Sequence, residues 1–305
     1  MHYTTRISIG IPVYNGDRYI TEAIDSMLGQ SFQDFELLIS DNASSDGTEA
    51  ICREYAAKDP RIHYFRNHKN LGATFNHNTL VRCAKGQYFK WVSADDIYAS
   101  DFLKKCIESL NENRSAILAY SKSANIDKHG NLLKINTLNF RNDSNKPYER
   151  FHDFIMEPHN CNPIFGLIRR RELLKTKLLR NYISADRVLL SQLALMGKFH
   201  KIPETLMFWR RHSKSSTIAY SSYTRYQWWD PDKAGQIVFP AWRLILEYVK
   251  VANRVPLKFH ENIFCLKYIL EWAYKNKHRL KADLDYFVNH LKNPDKALYK
   301  DEIEH

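Results

Sequence analysis

The chain has 305 residues, 44% of them apolar and 26% charged, a balance that excludes a disordered or low-complexity protein and suits one large domain or two small ones. No run approaches the roughly 18–20 uncharged apolar residues of a membrane span, the opening residues lack the pattern of a signal peptide, and five scattered cysteines without a CxxC pair argue against a disulfide framework or zinc site, leaving reduced cytoplasmic thiols. The net charge of +11 is concentrated in residues 151–215, which hold 12 Lys and Arg against 5 Asp and Glu, so an anionic partner is expected: a diphosphate, an acidic glycan, nucleic acid or anionic lipid.

The first half alternates two periodicities. Apolar β-branched runs predict strands at 6–13, 35–40, 62–67, 87–94 and 116–121, and helical spacing predicts helices at 17–30, 47–59, 74–85 and 101–113. Such alternation implies βαβ units and a mainly parallel sheet, which binds ligands beyond the carboxyl ends of its strands. Residues 122–160 read as polar connections. A strand at 161–170, a helix at 186–197 and a strand at 203–212 follow, then an aromatic, turn-rich stretch at 217–233. Helices at about 234–254, 257–276 and 279–292 complete the chain. The expected organisation is an α/β unit over 1–215, divided near 120, with a helical region over 216–305.

The chain has no GxGxxG after a strand, no GxxxxGK[ST], no GxSxG and no HExxH, which removes the main support for dehydrogenases, P-loop NTPases and serine or zinc hydrolases. Carboxylates at strand ends remain. Asp41 closes the run ELLIS and projects above the sheet, where it can accept the imide N–H of a uracil or thymine. Ser44, Ser45 and Asp46 beside it suit a helix-capping turn. Asp95 and Asp96 end YFKWVSA. Adjacent carboxylates repel unless donors or a cation hold them, and hard oxygen ligands suit Mg²⁺ or Mn²⁺ completed by a diphosphate. Asp96 fits a helix cap equally well. In IPVYNGDRY, Pro12 lacks an N–H and Gly16 permits positive φ, so the chain can leave the sheet abruptly around Pro12, Val13, Tyr14 and Asn15.

Together IPVYNG, SDNASSDGT, NLG with Asn78, and SADDIY resemble, in order and spacing, the nucleotide-binding half of a family 2 glycosyltransferase of the GT-A fold. The resemblance is strong over 5–120 and fainter over 160–215. It implies a Rossmann-like, mainly parallel sheet flanked by helices. Pro12 to Asn15 match the loop on base and ribose, and Asp41 the aspartate that reads the pyrimidine imide. Asn78, Ser93, Ala94 and Asp95 complete the donor set, and Asp95 matches the last Asp of the metal-binding D-x-D motif. Ser93 replaces its first Asp, and His77 stands where the family often has Arg. The segment ISADRVLLSQLALMG with WRRHS is similar to the acceptor-side signature. There Asp186 matches the catalytic base, with Ala185 in place of the usual first acid of the pair. His212 is a candidate metal ligand, and Arg210 and Arg211 are candidate diphosphate contacts.

The implied reaction is an inverting transfer from a nucleoside diphosphate sugar, UDP- or dTDP-linked, to a hydroxyl of a glycan or lipid-linked acceptor in surface polysaccharide synthesis. Asp186 acts as base and Mn²⁺ or Mg²⁺ offsets the leaving group's charge. Two other classes compete. One is a nucleotide-sugar-binding protein without turnover, supported by Ser93 and Ala185. The other is a basic nucleic-acid binder, which the strand-end carboxylates oppose because they repel phosphate. Tyr220, Tyr223, Tyr226, Trp228 and Trp229 suit packing or a sugar-stacking lid. Trp242, Leu246, Phe264, Ile269 and Trp272 suit a core, a homodimer contact or a peripheral seat on the inner face of the membrane.

Overall fold

A computed structural model describes residues 5–137, 139–213, 215, 229 and 238–292. Among them one sheet runs in the order β3-β2-β1-β4-β8-β6-β9-β5, with β7 paired to β6. The strands are β1 (Ile7–Val13), β2 (Phe35–Asp41), β3 (Ile62–Arg66), β4 (Tyr88–Trp91), β5 (Ile97–Tyr98), β6 (Ala116–Ile126), β7 (Leu132–Asn136), β8 (Leu167–Arg169) and β9 (Lys198–Arg210). Most paired residues are in parallel register. β1 pairs with β2 and β4, β2 with β3, and β6 with β9 in that sense, whereas β8, β7 and β5 pair antiparallel. The expected mainly parallel α/β sheet is present.

β1 and β2 are almost entirely buried because helices cover both sheet faces, which is why they read as continuous apolar runs. On the covering side, α1 (Ile20–Leu28) buries Ile20, Ala23, Ile24 and Met27 at helical spacing. The helices α2 (Thr48–Lys58), α3 (Gly72–Cys83) and α4 (Phe102–Glu112) return the chain between strands. The turns that emerge from the carboxyl ends of β1, β2 and β4 therefore lie along one edge.

The middle of the chain is more regular than its composition suggests. β6 continues to Ile126 and folds back through the turn Asp127–Asn131 into β7, whose side chains are mostly exposed and therefore lack an apolar signature. α5 (Pro147–Met156) starts with proline at its first position and buries Arg150, Phe151, Asp153, Phe154 and Ile155. The expected strand at 161–170 is instead a 3-10 turn, Asn162–Phe165, followed by the three-residue β8. Cys161 takes φ 56° and Pro163 has no N–H for a ladder. β9 starts earlier than expected, at Lys198. It carries Pro203 in a bulge, the register stepping from Ile202 opposite Ser121 to Thr205 opposite Lys122.

After the short α6 (Arg170–Leu173) and α7 (Ala185–Met196), the described residues end in α8 (Pro240–Arg254), α9 (Phe259–Lys275) and α10 (Lys277–Lys292). Their inner faces join the core of α5 and α7: Tyr148 stacks on Phe264 at 4.5 Å, and Tyr248 meets both Phe151 and Trp272 edge-on. Asp283 of α10 accepts the N–H of Ala241 at 2.8 Å, capping α8 from outside it. Ile269 and Trp272 are thereby buried, whereas Trp242 and Leu246 stay exposed. Tyr220, Tyr223, Tyr226 and Trp228 lie outside the described residues, while Trp229 is buried in the core. No described helix is long and apolar enough to cross a membrane.

Candidate active site

The first part of the site forms where β1, β2 and α3 end or begin. Beyond Val13 the chain turns through Asn15 at φ 52°, a conformation asparagine tolerates. The Asn15 N–H donates to Ser44 Oγ at 2.9 Å, and Asn15 Oδ1 accepts the Ser45 N–H at 2.8 Å. Gly16 donates to Thr48 Oγ1 and Asp17 to Asp46 Oδ2. Ser44, Ser45 and Asp46 thus clamp the β2 turn to the β1 turn; the N-cap of α2 is Gly47, and of the three only Asp46 reaches that helix, accepting the Thr48 N–H at 3.1 Å. Gly16 is needed here, because a Cβ would meet Val13 Cγ2 at 2.6 Å.

Asp41 ends β2 with no exposed surface. Tyr64 donates to its Oδ2 and Ser44 N–H to its Oδ1, both at 2.8 Å, and Arg66 stands 3.5 Å away. Val13 is buried and its carbonyl accepts the Asn42 N–H, whereas Tyr14 is 49% exposed at the rim. Asn78 does not point into this region. Its amide donates to the Leu179 carbonyl at 2.9 Å and accepts the Leu179 N–H at 3.1 Å, so both its groups hold a later turn. Asn76, two residues earlier, takes the place expected of Asn78. It donates to the Ser40 carbonyl at 2.8 Å and to the Val13 carbonyl at 3.4 Å.

The second part is built on the turn after β4. Ser93 donates to Asp95 Oδ1, and Asp95 Oδ2 lies 2.9 Å from His212 Nε2. Thus 117 residues of separation close at the end of β9, whose Arg210 pairs with Ile126 of β6. The His212 ring packs 5.0 Å from Tyr19, and Ala94 lies against Gly16, so this cluster adjoins the β1 turn. Arg210 is not a free phosphate contact. It is buried, donates to the Asp95 carbonyl at 3.0 Å and to Glu22 at 2.6 Å, and lies 4.6 Å over the Tyr19 ring. Arg211 donates its N–H to the Ile126 carbonyl and lays its guanidinium 5.2 Å over Trp209.

Asp96 caps no helix, since α4 begins only after Asp101. It is fully buried, accepts the Arg210 N–H at 3.0 Å through Oδ1, and finds no hydrogen-bond partner for Oδ2 among the described residues. Burial, reinforced by the Asp95 charge, pushes its carboxyl well above the usual range. Beneath the turn, Lys90 is equally buried. Its ammonium donates to the Phe165 carbonyl and sits 3.7 and 4.0 Å from the ring centroids of Tyr98 and Phe102.

No group of three His, Cys, Asp or Glu able to hold a metal occurs among the described residues. The convergent pair Asp95 Oδ2 and His212 Nε2 nonetheless suits a hard divalent cation that takes most of its shell from diphosphate oxygens and water. Tyr19, Glu22, Lys90, Asn76, Tyr64 and Arg66 are the contributors that sequence reading passed over. Only Asn76, one of two asparagines in the helical NHN triplet, stood beside a residue already singled out.

Asp186 belongs to a third cluster. It opens α7 after Ser184 at φ 65°, accepts the Arg187 N–H at 2.8 Å, and its charge faces the buried Cys161 thiol. Burial, then the Asp186 charge, raise that thiol well above its ordinary range. Arg187 gathers the carbonyls of Phe154, Glu157 and His159 at 3.0–3.1 Å. Next to Cys161, Asn162 donates to Ser123 of β6 at 2.5 Å. Ser123 stands three residues before Ile126, the partner of Arg210, which is about 10 Å at the rise of a strand. Residues 12–19, 41–46, 93–96 and 210–212 thus meet directly, while Asp186 lies with Cys161 and Arg187 in a cluster of its own.

Residues 8–175 match the family model described as glycosyl transferase family 2. The chain belongs to that family. A chondroitin synthase of Escherichia coli is 35% identical over 127 residues, covering 42% of this chain, which spans only 18% of that relative's length. An uncharacterized glycosyltransferase of Methanocaldococcus jannaschii is 28% identical over 244 residues, covering 74% of this chain and 80% of its own. Among solved structures, S. aureus TarS 1-349 in complex with UDP-GlcNAc superposes with a TM-score of 0.66 at 15% identity, over 93% of this chain and 81% of that one. The mannosyltransferase PcManGT of Pyrobaculum calidifontis, in complex with GDP-Man and Mn²⁺, gives 0.53 at 16% identity, over 96% and 82%. The fold of this family 2 glycosyltransferase is GT-A.

Proposed function

We propose that this enzyme transfers a sugar, with inversion, from a UDP- or dTDP-linked donor to a hydroxyl of a glycan or lipid-linked acceptor, in surface polysaccharide synthesis at the cytoplasmic side of a membrane. The observation that carries the reading is the meeting of Asp95 and His212 at 2.9 Å beside the turns that follow β1 and β2. The UDP-GlcNAc and GDP-Man bound in the two similar structures support a nucleotide-sugar donor, and the Mn²⁺ in one supports a divalent cation. The polysaccharide named in the chondroitin synthase supports the product class.

In this reading the backbone from Pro12 to Asn15 lines the nucleoside, with Tyr14 at its edge and Asn76 fixing the floor in place of Asn78. Asp41 has no exposed surface, so it would accept the pyrimidine imide only once Tyr64 and Arg66 move off its carboxylate. Ser93 and Ala94 shape the turn on the ribose side, and Ser93 orients Asp95 by its hydrogen bond. Asp95 and His212 would hold Mn²⁺ or Mg²⁺, which when bound offsets charge on the diphosphate. Arg211 adds a positive charge where negative charge grows. Arg210 positions instead of binding, since it holds Asp95's carbonyl and the Tyr19 ring that His212 packs on. Asp186 takes the acceptor's proton as the hydroxyl attacks the anomeric carbon from the face opposite the leaving group.

The test is a donor panel of UDP-, dTDP- and GDP-sugars with Mn²⁺ or Mg²⁺, read by thermal shift and by nucleoside diphosphate release. Release from a UDP- or dTDP-sugar, abolished by Asp95→Ala, is the expected result. A thermal shift with no release from any donor would assign the protein to nucleotide-sugar binding without turnover. Ala185, buried where the family carries a second acid, is the feature that favours that outcome.

A further inference from the structure

Helix α9 has two apolar faces. Cys265, Ile269 and Trp272 are buried towards α5 and α8. On the other face Phe259, Ile263, Leu266, Leu270 and Tyr274 follow one another at steps of four, three, four and four residues, the spacing of one helical stripe. They are 83%, 50%, 39%, 71% and 73% exposed. Single exposed apolar residues are ordinary, but a continuous row of five marks a contact surface.

The border of the stripe is basic. At about 100° per residue, Lys267 falls next to Tyr274, with His260 just beyond. Lys277, the first residue of α10, holds its ammonium 5.1 Å from the centre of the Tyr274 ring. Of the two carboxylates of α9, Glu261 accepts the Lys258 N–H at 2.8 Å, and Glu271 pairs with Lys275 at 3.0 Å while standing one turn after Lys267, whose charge it also meets. Residues 258–281 hold six Lys and Arg against two Glu, a net +4.

We propose that this face of α9 docks on an anionic membrane surface, the helix lying in the headgroup layer. The apolar row enters the acyl boundary while the lysine stems lie along it and their ammonium groups meet lipid phosphate. A second copy of the chain complements the stripe less well. It would bring a second border of net +4 up to the first, and like charges then oppose the contact. The surface stands on its own geometry, and it deepens the reading of a lipid-linked acceptor by holding the catalytic domain where such an acceptor resides.

The test is co-sedimentation of the full chain with phosphatidylcholine vesicles, with and without phosphatidylglycerol. Binding is expected only to the anionic vesicles and should weaken with added salt. The double variant Leu270→Glu, Tyr274→Glu should bind at least about tenfold more weakly, and Lys267→Gln and Lys277→Gln about fivefold each. All four positions are at the surface, and an unchanged circular dichroism melt confirms folding. No binding by the parent chain, or equal binding by the double variant, overturns the proposal. A dimer in light scattering that Leu270→Glu dissociates assigns the stripe to a second copy and overturns it too. Nucleoside diphosphate release, measured on the same variants, is expected to persist, so failure here is separable from failure of the donor reading.

Discussion

The halves of this glycosyltransferase proposed to bind donor and acceptor place their polar groups by different means. On the donor side, consecutive strands end along one edge, and their turns bond each other across one βα unit: Asn15 to Ser44, Gly16 to Thr48, Asp17 to Asp46. Topology does the positioning. On the acceptor side, three non-glycine residues, Cys161, Leu178 and Ser184, take φ between 54° and 65°, and Asn15 and Ala43 in the donor-side turns take 52° and 63°, each at a cost of order 1 kcal/mol; what differs is how the backbone is tied down. Long side chains offset that cost by tying irregular backbone down: Arg187 over 154–159, Asn78 on Leu179 and Asn162 on Ser123. Donor binding should therefore survive damage to the acceptor side, and the rim where Arg210 joins the halves should be where both are most exposed to mutation.

The sharpest way to break that comparison is Asp186→Asn. It should lower the transfer rate by about two to four orders of magnitude while leaving the dissociation constant of the nucleotide within about twofold, measured by calorimetry on the same preparation. A matching loss of nucleotide affinity would show that Asp186 serves both halves. Arg210→Met comes next. Removing the guanidinium takes a donor from the Asp95 carbonyl and from Glu22 and a nearby positive charge from the buried Asp96, whose bond to the Arg210 backbone N–H stays, which should destabilise the fold by about 3 kcal/mol in urea unfolding. Glu22 is half exposed and recovers water, so a loss much above that figure would place the burden on Asp96.

The same contrast decides what could be read from sequence. β1, β2 and α1 were legible because two-sided burial writes a local pattern, and the turns after them because Asn, Gly and Asp mark departures from a sheet. β7 and β8 were not, since one is exposed and the other has three residues. α5 was obscured because its buried face includes Arg150 and Asp153, whose partners are the Ala194 carbonyl and Arg141. Asp95 with His212 was found from strand-end placement and family resemblance. Arg210 was misjudged, because a strand-end arginine reads as solvent-facing until Glu22, 188 residues earlier, is seen beside it. Lys90 illustrates the limit: nothing near YFKW announces a lysine enclosed by two aromatic rings.

Acid should loosen the acceptor side by a route that can be isolated. His159 Nδ1 accepts the Cys161 N–H at 3.0 Å, so Nε2 carries the proton donated to the Phe154 carbonyl. Burial, and then the charge of Arg187, push this imidazole down to about 3. A folded pKa below the unfolded value of about 6.5 favours the native state fully above pH 6.5, and that contribution is lost as pH falls from there towards 3. The stability difference between the parent and His159→Gln, which does not titrate, should therefore shrink over that window in urea titrations. A difference that stays flat would remove His159 as the cause.

The smallest effect separates two neighbouring asparagines. Asn78→Ala removes two hydrogen bonds to Leu179, and Asn76→Ala removes those to Ser40 and Val13, so each should cost about 1–3 kcal/mol of stability. Their effects on ligand binding should differ. Asn76 braces the strand ends proposed to line the nucleoside, so its loss should weaken nucleotide binding by a few fold, about 1 kcal/mol. Asn78 braces only the turn that leads to Asp186, so its loss should leave nucleotide affinity unchanged and slow transfer instead. If Asn78→Ala weakened the nucleotide as much as Asn76→Ala, the α3 helix would be acting as one rigid lever on both halves, and the separation between topology-built and turn-built sites would not hold.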